Sequence, residues 1–410
     1  MRRSVKQIVR FGTNFSLFRS GSFTNRINSL YDMIFKIASF TVKYKLTVIC
    51  TLFFVLMLCG YLIKPDTGFS ELENRYLASR PKLSLKGLAD GSFEESFETY
   101  TAEQLPFRNA FIRLKSLIER AELKKENNGI ILGEKGQLFE KLLACNRNLK
   151  RNEDIVCSFI EKAGRRIYFG LIPNSFEIQK DRLPRGVPNV SEKEAIDEFC
   201  LRLSSLNNCE IVDIYETLQQ SRGESIYYNT DHHWTTRGAA LAYAKLCGAL
   251  GLEPVNIAGL EKSSVEGFYG TYYAKYKGLG IKPDRIDYYE TPSLSYVNLS
   301  EGEQHDGLYD MAKADTYDKY GIFMYGNPGE ALIELAEGHT GKSLILLKDS
   351  YSNCLIPFLT YNYDRIRIVD LRYFGGSLAE LLDDDKEADV LLLYNFMHFS
   401  EDSNFYKLVR

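Results

Sequence analysis

Residues 343–359, SLILLKDSYSNCLIPFL, run from a continuous apolar segment through a polar turn into a second apolar segment. An apolar run of this length, bounded by polar residues, predicts a strand buried on both faces of a sheet. The polar turn is Lys348, Asp349 and Ser350, and we expect a helix to start near Ser352. Ser350 then lies at the carboxyl end of a strand, where backbone N–H groups and a helix dipole can stabilise an oxyanion. The stretch alone leaves two roles open for this serine, nucleophile and helix cap.

A similar pattern of apolar and polar segments extends from residue 129 to the end of the chain. Short apolar runs rich in Ile, Val, Leu and Tyr alternate with amphipathic stretches. This alternation predicts an α/β domain with a mostly parallel sheet covered by helices, whose ligands bind at the carboxyl ends of the strands. The predicted strands are residues 167–172, 211–214, 343–347, 366–369 and 390–394, and the predicted helices are residues 192–205, 235–250, 352–360 and 377–384.

Residues 46–63, LTVICTLFFVLMLCGYLI, contain no charged residue. As a helix they are about 27 Å long, close to the hydrocarbon thickness of a bilayer. Residues 1–45 carry nine Lys and Arg against one acid, so this segment should stay in the cytoplasm while residues 66–410 lie outside. A cleaved signal peptide and a buried core helix are the alternatives. The long basic lead disfavours the first, and the lack of a polar face disfavours the second.

We therefore expect a single-pass protein of the cell membrane with four parts. Residues 1–45 form a basic cytoplasmic segment, 46–63 a transmembrane anchor, 64–128 a stalk and helical lead, and 129–410 the α/β domain. Within the first part, residues 30–42 either lie along the inner membrane surface or form a solvated helix. The net charge of -3 gives no signal of nucleic-acid binding, and no such partner is expected.

Residues 227–239, YYNTDHHWTTRGA, contain two of the five histidines. Asp231 and His233 can form the base half of a hydrolytic triad, because a carboxylate fixes the imidazole tautomer and stabilises the imidazolium. Ser350 is a candidate for the missing nucleophile. The rival interpretation is a metal site, since Asp and His also bind zinc and iron. Adjacent histidines point in different directions, however, so a structural role is also open for His232.

Asp231-His232-His233-Trp234, with an Asp-Ser pair after a later apolar strand, resembles the DHHW family. That family is similar to the alginate O-acetylation branch of the SGNH-hydrolase superfamily. The resemblance runs from about residue 66 to the C-terminus. Further matching stretches are residues 70–75 (SELENR), 105–108 (LPFR) and 267–271 (GFYGT), with Pro283 and Asp284.

The resemblance implies an SGNH-hydrolase-like parallel sheet flanked by helices, without a cofactor or metal. It also implies Ser350 as nucleophile, His233 as general base and Asp231 as the carboxylate that orients the base. The Gly-Asp-Ser of the superfamily is Lys348-Asp349-Ser350 here, so the backbone before the serine is less free to approach a ligand. Further candidates for substrate or oxyanion contacts are Asn174, Arg372, Trp234 and His232.

Two other features leave alternatives open. Cys200 and Cys209 are close enough in sequence to pair in an exported domain, or they stay free and buried. Residues 268–276, FYGTYYAKY, hold five aromatic residues, which either pack in the core or stack on sugar rings.

By this resemblance, we expect a membrane-anchored, extracytoplasmic O-acetyltransferase that acts on a cell-surface or secreted polysaccharide through an acyl-serine intermediate. The resemblance also implies a membrane-bound O-acyltransferase as partner. The alternatives are a carbohydrate acetylesterase that uses water as acceptor, a non-catalytic polysaccharide-binding or scaffold protein, and a metal-dependent enzyme.

Overall fold

The computed structural model describes residue 33 and residues 44–70, 75–122, 124–144 and 147–409. Almost all of the predicted basic segment 1–45, including the stretch 30–42, lies outside the described residues. The chain forms two compact units. The first consists of Met1–Thr67 and Ala78–Pro106, and the second consists of Gly68–Leu77 and Phe107–Arg410. The four-part division drawn from the sequence stays a prediction.

The helices vary from single turns to long amphipathic segments. The long ones begin at side-chain caps in several places: Ser191, for example, accepts a hydrogen bond from the Glu194 N–H at the start of one helix. The α-helices are α1 (Lys45–Ile63), α2 (Leu85–Asp90), α3 (Ser92–Glu103), α4 (Arg108–Ala121), α5 (Asn148–Lys162), α6 (Ser175–Ile178), α7 (Glu192–Leu203), α8 (Ile214–Gln220), α9 (Thr236–Leu250), α10 (Thr271–Tyr276), α11 (Ile356–Leu359), α12 (Leu378–Asp384) and α13 (Phe396–Glu401).

The strands form one large sheet and several small ones. The strands are β1 (Phe69–Ser70), β2 (Arg75–Tyr76), β3 (Glu126–Asn127), β4 (Ile130–Leu132), β5 (Leu138–Glu140), β6 (Ile167–Ile172), β7 (Cys209–Ile211), β8 (Lys262–Phe268), β9 (Asp284–Tyr289), β10 (Leu294–Asn298), β11 (Glu303–His305), β12 (Glu330–Leu335), β13 (Ser343–Lys348), β14 (Arg365–Val369) and β15 (Asp389–Asn395).

The first unit contains α1, α2 and α3. Helix α1 coincides with the apolar span predicted from the sequence, has a mean hydropathy of 2.5, and has no buried residue. Among the described residues it is the one helix long and apolar enough to cross a membrane. Tyr100 on α3 donates a hydrogen bond of 2.9 Å to Asp66, just after α1.

The second unit is built on the large sheet, whose strand order is β11-β10-β12-β14-β13-β15-β6-β7. The five strands from β14 to β7 are parallel. Strand β13 lies inside this parallel part, and Leu344 to Leu347 are at most 1% exposed, as its continuous apolar run predicts. The predicted α/β fold class, a central sheet flanked by helices, is confirmed.

The sheet is less parallel than the sequence suggested, because β12, β10 and β11 extend it with antiparallel pairs. Along β10 burial alternates from residue to residue. Such a strand with only one buried face lacks the continuous apolar run by which the parallel strands were found.

Two predicted elements differ the most from the structure in their bounds. The strand predicted at residues 211–214 ends at Ile211, because Asp213 accepts a hydrogen bond from the Glu216 N–H and caps α8. The helix predicted at 352–360 starts as a 3-10 turn, Ser350–Cys354, and becomes α-helical only at Ile356.

The possible pairing of Cys200 and Cys209 is not realised, since both cysteines are free. Each thiol is packed against the hydrophobic core, and burial raises the pKa of Cys200 to about 11. The alternative, free cysteines acting as small apolar side chains, describes this pair.

Candidate active site

Ser350 lies directly after the carboxyl end of β13, at the start of the serine turn, residues 349–354. Asp349 fixes this turn with both of its carboxylate oxygens. Its Oδ1 accepts the Tyr351 N–H at 3.0 Å, and its Oδ2 accepts the Asn395 N–H at 2.7 Å and lies 3.1 Å from His398 Nδ1. The turn is therefore tied to the end of the neighbouring strand β15.

The two histidines lie in the histidine loop, residues 227–235. A bridge between Tyr227 and Trp234 closes this loop, and the Thr235 N–H donates to the Ile226 carbonyl. Thr235 then caps α9 by accepting the Gly238 N–H. Closure of the loop places His232 and His233 at its turn, and α9 continues from its end.

Asp231, His233 and Ser350 form one chain of hydrogen bonds. His233 Nδ1 lies 2.6 Å from Asp231 Oδ1, and His233 Nε2 lies 2.9 Å from Ser350 Oγ. Because Nδ1 faces a carboxylate, it carries the imidazole proton and leaves Nε2 to accept the serine hydroxyl. Asp231 and His233 are 2% and 5% exposed. This geometry suits a general base that activates an alcohol.

Thr271 and Gly270 hold the other side of Asp231. The Thr271 N–H and hydroxyl donate to Asp231 Oδ2 at 2.7 and 3.1 Å. A Cβ on Gly270 would lie only 2.2 Å from the Asp231 side chain, so a glycine is needed there. Burial opposes the charge of Asp231, but the imidazoles of His232 and His233 and these hydrogen bonds outweigh it and lower the pKa of the carboxyl group.

Asp284 supports the residues that precede Asp231. Its carboxylate accepts the N–H groups of Asn229 and Thr230 at 3.0 and 2.8 Å, and the Thr230 hydroxyl at 2.6 Å. Burial raises the pKa of Asp284, although these hydrogen bonds oppose the shift. The Pro283-Asp284 stretch singled out from the sequence thus contacts the histidine loop.

His232 packs on His233, with ring centroids 3.8 Å apart, and its side chain is 34% exposed. Its Nδ1 lies 2.7 Å from the Thr271 hydroxyl, whose hydrogen goes to Asp231. His232 Nδ1 therefore carries a proton and Nε2 is an acceptor. Burial and the neighbouring His233 lower the pKa of His232, so the ring is neutral at neutral pH.

Asp231, His232 and His233 have ligand atoms within 4.8 Å of one another, close enough to hold a metal ion. However, the 2.6 Å contact between Asp231 Oδ1 and His233 Nδ1 is a hydrogen bond. A metal ion between these atoms would need about 2.0–2.2 Å to each of them. The donor set as arranged fits a proton-transfer chain better than a metal centre.

Of the other predicted contact residues, Asn174 and Trp234 bind the serine turn through Tyr351. Asn174, after β6, accepts hydrogen bonds from Tyr351 and Asn395 at 3.0 Å each and donates to Glu192 at 2.6 Å. Burial raises the pKa of Glu192 to about 8, so this carboxyl is largely protonated at neutral pH.

Arg372 and Trp234 also bind protein groups. The Arg372 guanidinium donates two hydrogen bonds to Asp370, at 2.9 and 2.5 Å. Trp234 is 0% exposed and donates to the Tyr351 carbonyl at 2.7 Å. The structure therefore brings Asp231, His233 and Ser350 together and places Asn174 and Trp234 behind the serine turn. Contacts of any of these residues with substrate stay predictions.

Lys348, which replaces the glycine expected before Asp-Ser, is fully buried. Its ammonium donates to Asn353 at 2.6 Å and to Asn327 at 3.2 Å. Burial lowers the pKa of Lys348 to about 8. The lysine thus links the serine turn to the loop at Asn327.

Two neighbours of the site were missed from the sequence. Tyr320 stacks on His233 with centroids 3.8 Å apart and donates to the Ser350 carbonyl at 3.0 Å. It lies in a short 3-10 turn that has no periodic pattern. His398 follows the predicted strand 390–394, and the rule that sites form at carboxyl ends of parallel strands would have found it.

The fold and these contacts define an α/β protein with an Asp–His–Ser arrangement at the carboxyl ends of its parallel strands. The DHHW protein family model matches residues 154–369. The match covers more than half of the chain, which therefore belongs to the DHHW family.

Solved structures agree with this fold. A DHHW family protein from Eubacterium siraeum DSM 15702 is 24% identical with a TM-score of 0.61, over 69% of this chain and 96% of that one. PatB1 of Bacillus cereus is 20% identical with a TM-score of 0.56, over 67% and 97% of the two chains. The structure of Bacillus cereus PatB1 with a sulfonyl adduct is 19% identical with a TM-score of 0.56, over 68% of this chain and 97% of that one. No curated protein sequence matches the chain.

Proposed function

We propose that this protein is a serine O-acyltransferase that moves an acetyl group onto a polysaccharide hydroxyl. The observation that carries the proposal is the continuous hydrogen-bond chain from Asp231 through His233 to Ser350, with links of 2.6 and 2.9 Å. The acetyl group and the polysaccharide acceptor come from the resemblance of the DHHW family to alginate O-acetylation proteins.

In the first half-reaction Ser350 Oγ attacks the carbonyl carbon of an acetyl donor while His233 Nε2 takes the hydroxyl proton. The tetrahedral intermediate collapses, the donor group leaves with the proton from His233, and acetyl-Ser350 remains. In the second half-reaction His233 deprotonates a sugar hydroxyl, which attacks the ester and releases Ser350. Asp231 stays ionised throughout and stabilises the imidazolium.

The developing oxyanion needs hydrogen-bond donors. The Tyr351 N–H is already bound to Asp349, whereas the Ser350 N–H has no acceptor among the described residues. We assign this N–H as one oxyanion donor. The role predicted for Asn174 is then indirect, since its carbonyl oxygen holds Tyr351 and Asn395.

Helix α1 is the proposed membrane anchor. Its length and apolar composition fit a single span, and the basic residues before it predict a cytoplasmic N-terminus. In this orientation the Ser350 site faces the outside, where a cell-surface or secreted polysaccharide is available. A membrane-bound O-acyltransferase would then supply acetyl groups from inside the cell.

The test uses the full chain in detergent, a chromogenic acetyl ester and intact mass spectrometry. We expect ester turnover and a mass increase of one acetyl group, both lost in Ser350→Ala. Ser352→Ala is the matched control, because Ser352 lies in the same turn, is fully buried and donates to Leu393. A sulfonyl fluoride should likewise modify Ser350, as PatB1 has been crystallised with a sulfonyl adduct.

An acetyl adduct that persists in Ser350→Ala would refute the proposed nucleophile. An adduct that passes only to water, in the presence of acetyl-acceptor glycans, would favour the esterase. Wild-type protein that forms no adduct with either reagent but binds glycans would favour the scaffold protein.

A further inference from the structure

Helix α4 presents an apolar face that the second unit leaves exposed. Ala110, Leu114, Leu117, Ile118 and Ala121 follow the spacing i, i+4, i+7, i+8 and i+11, which places them on one side of a helix. Leu114, Leu117 and Ile118 are 54%, 46% and 52% exposed. Contiguous exposed apolar side chains of this kind mark contact surfaces.

The opposite side of α4 faces the protein. Ser116 is buried and donates to the Tyr276 carbonyl at 3.3 Å. Ile112, one turn earlier, is half-buried. The orientation of α4 is therefore set by contacts within its own unit, and its apolar face points outward.

Phe107 extends the apolar face beyond the helix N-terminus. Its ring is 72% exposed, and its backbone has φ of 57°, a left-handed conformation that costs about 1–2 kcal/mol for a residue with a Cβ. Its carbonyl accepts the N–H groups of Ala110 and Phe111 and starts the helix. This residue belongs to the LPFR stretch singled out from the sequence, for which the serine chemistry has no use.

Basic residues border the face. Arg113 lies next to Leu117 on the helical wheel, and Lys115 lies on the other border, beyond Phe111. Both are exposed. An apolar face between basic side chains is the pattern of helices that lie in the headgroup region of a membrane with anionic lipids.

We propose that α4, with Phe107, lies on the outer surface of the membrane that α1 crosses. The inference goes beyond the reaction and rests on the proposed anchor: α4 begins about 45 residues after α1 ends, so the tether keeps it within reach of the bilayer. Docking of α4 would hold the Ser350 domain at the membrane surface, where a membrane-bound acetyl donor is delivered.

The test exploits the single tryptophan of the chain, Trp234, which is fully buried. The full chain carrying Leu117→Trp is placed in nanodiscs whose phosphatidylglycerol and phosphatidylcholine acyl chains are brominated near the headgroup. Bromine quenches tryptophan emission only at contact range. The matched control is Leu201→Trp on α7, at a leucine that is 74% exposed.

We expect the added emission of Leu117→Trp to be mostly lost in brominated nanodiscs and that of Leu201→Trp to be retained. Adding Arg113→Glu to Leu117→Trp should weaken the quenching in phosphatidylglycerol-containing nanodiscs but not in phosphatidylcholine alone. Emission of Trp234 that stays constant confirms that each variant is folded.

Equal quenching of the two added tryptophans, or none of either, would overturn the proposal and leave the face to a protein partner. A full chain that does not enter nanodiscs would overturn both the anchor and the docking of α4. Neither result affects the Ser350 chemistry, which is measured separately by the acetyl adduct.

Discussion

Two Asp–His pairs are built around Ser350, and they are alike in most respects. In the Asp231–His233 and Asp349–His398 pairs a buried carboxylate accepts an imidazole Nδ1 and backbone N–H groups. The difference lies at the second imidazole nitrogen. His233 Nε2 reaches Ser350 Oγ at 2.9 Å, whereas His398 Nε2 lies 3.7 Å from a carboxylate oxygen of Asp402.

This difference teaches that an Asp–His pair is not by itself a catalytic element. The pair with an acid at only one nitrogen can accept a proton from the serine. The pair with acids at both nitrogens favours the imidazolium and acts as an ionic clamp. Burial opposes the charge of His398, but the hydrogen bond to Asp349 outweighs it and raises the pKa of His398.

The largest effect should come from removing the proposed base, His233. His233→Ala should lower ester turnover at least about 10³-fold, because no other imidazole among the described residues bonds to Ser350 Oγ. His398→Ala should lower turnover far less and serves as the comparison. Steady-state kinetics of the two variants measures the loss of ester turnover in each. Equal losses would show that the two Asp–His pairs do not differ in role.

Gly270→Ala tests the Asp231–His233 pair through the position of its carboxylate. The new Cβ would lie 2.2 Å from the Asp231 side chain, so the carboxylate has to move away from His233. A displacement of about 1 Å can cost roughly 10²-fold in rate, and we expect a loss of about 10–100-fold in turnover.

Gly248→Ala on α9 is the control, because a Cβ there meets no atom within 4 Å. Activity of Gly270→Ala at the wild-type level would mean that the position of Asp231 does not matter. If the Tm of Gly270→Ala fell far enough to unfold the protein at the assay temperature, the loss of turnover would be assigned to unfolding.

A smaller effect is expected for the clamp. His398→Gln keeps a donor for Asp349 but cannot be charged, so turnover should fall by only about threefold to tenfold. A raised pKa means that His398 stabilises the fold fully below its ordinary pKa of 6.5, and this contribution is lost as the pH rises through the raised value.

The Tm of wild type should therefore exceed that of His398→Gln at acidic pH and approach it at alkaline pH. His339→Gln is the control, because His339 is an exposed histidine near Asp364. A Tm difference that is independent of pH would argue against the ionic clamp.

The smallest effect on activity is expected at Lys348, next to the clamp. With a pKa of about 8 instead of 10.5, the unfolded chain binds more protons than the folded one between these values. Wild type should then gain stability relative to Lys348→Met as the pH rises from 8 toward 10.5, by about 1–3 kcal/mol. Denaturant unfolding of both proteins measures this difference, and an unchanged difference would contradict the buried, charged lysine.

The sequence predicted the parts of the molecule that have a local signal. The buried parallel strands were found because each is a continuous apolar run, as in β13. The strands β10 and β12 were missed because only one face of each is buried. The family and the fold class are confirmed. The predicted end of the strand at residues 211–214 was wrong, because the side chain of Asp213 caps a helix there.

The surroundings of the site were less predictable. The histidine loop and the Asp-Ser turn stand out as short patterns, so Asp231, His233 and Ser350 could be named. Tyr320 and His398 act through contacts with residues that are 30 or more positions away along the chain, and a single sequence carries no record of such contacts. Lys348 was noticed as an exception, but its two amide partners were not foreseeable.

The order of the strands also controls when the site can exist. His233 and Ser350 are 117 residues apart. Closing such a long loop costs conformational entropy, which only contacts made elsewhere in the fold can offset. Strand β13 pairs with β14 and β15, which both follow it in the chain, and Asp349 needs the Asn395 N–H. A chain that is still being synthesised can thus contain Asp231, His233 and Ser350 without holding them in one chain of hydrogen bonds until its last strand has been made.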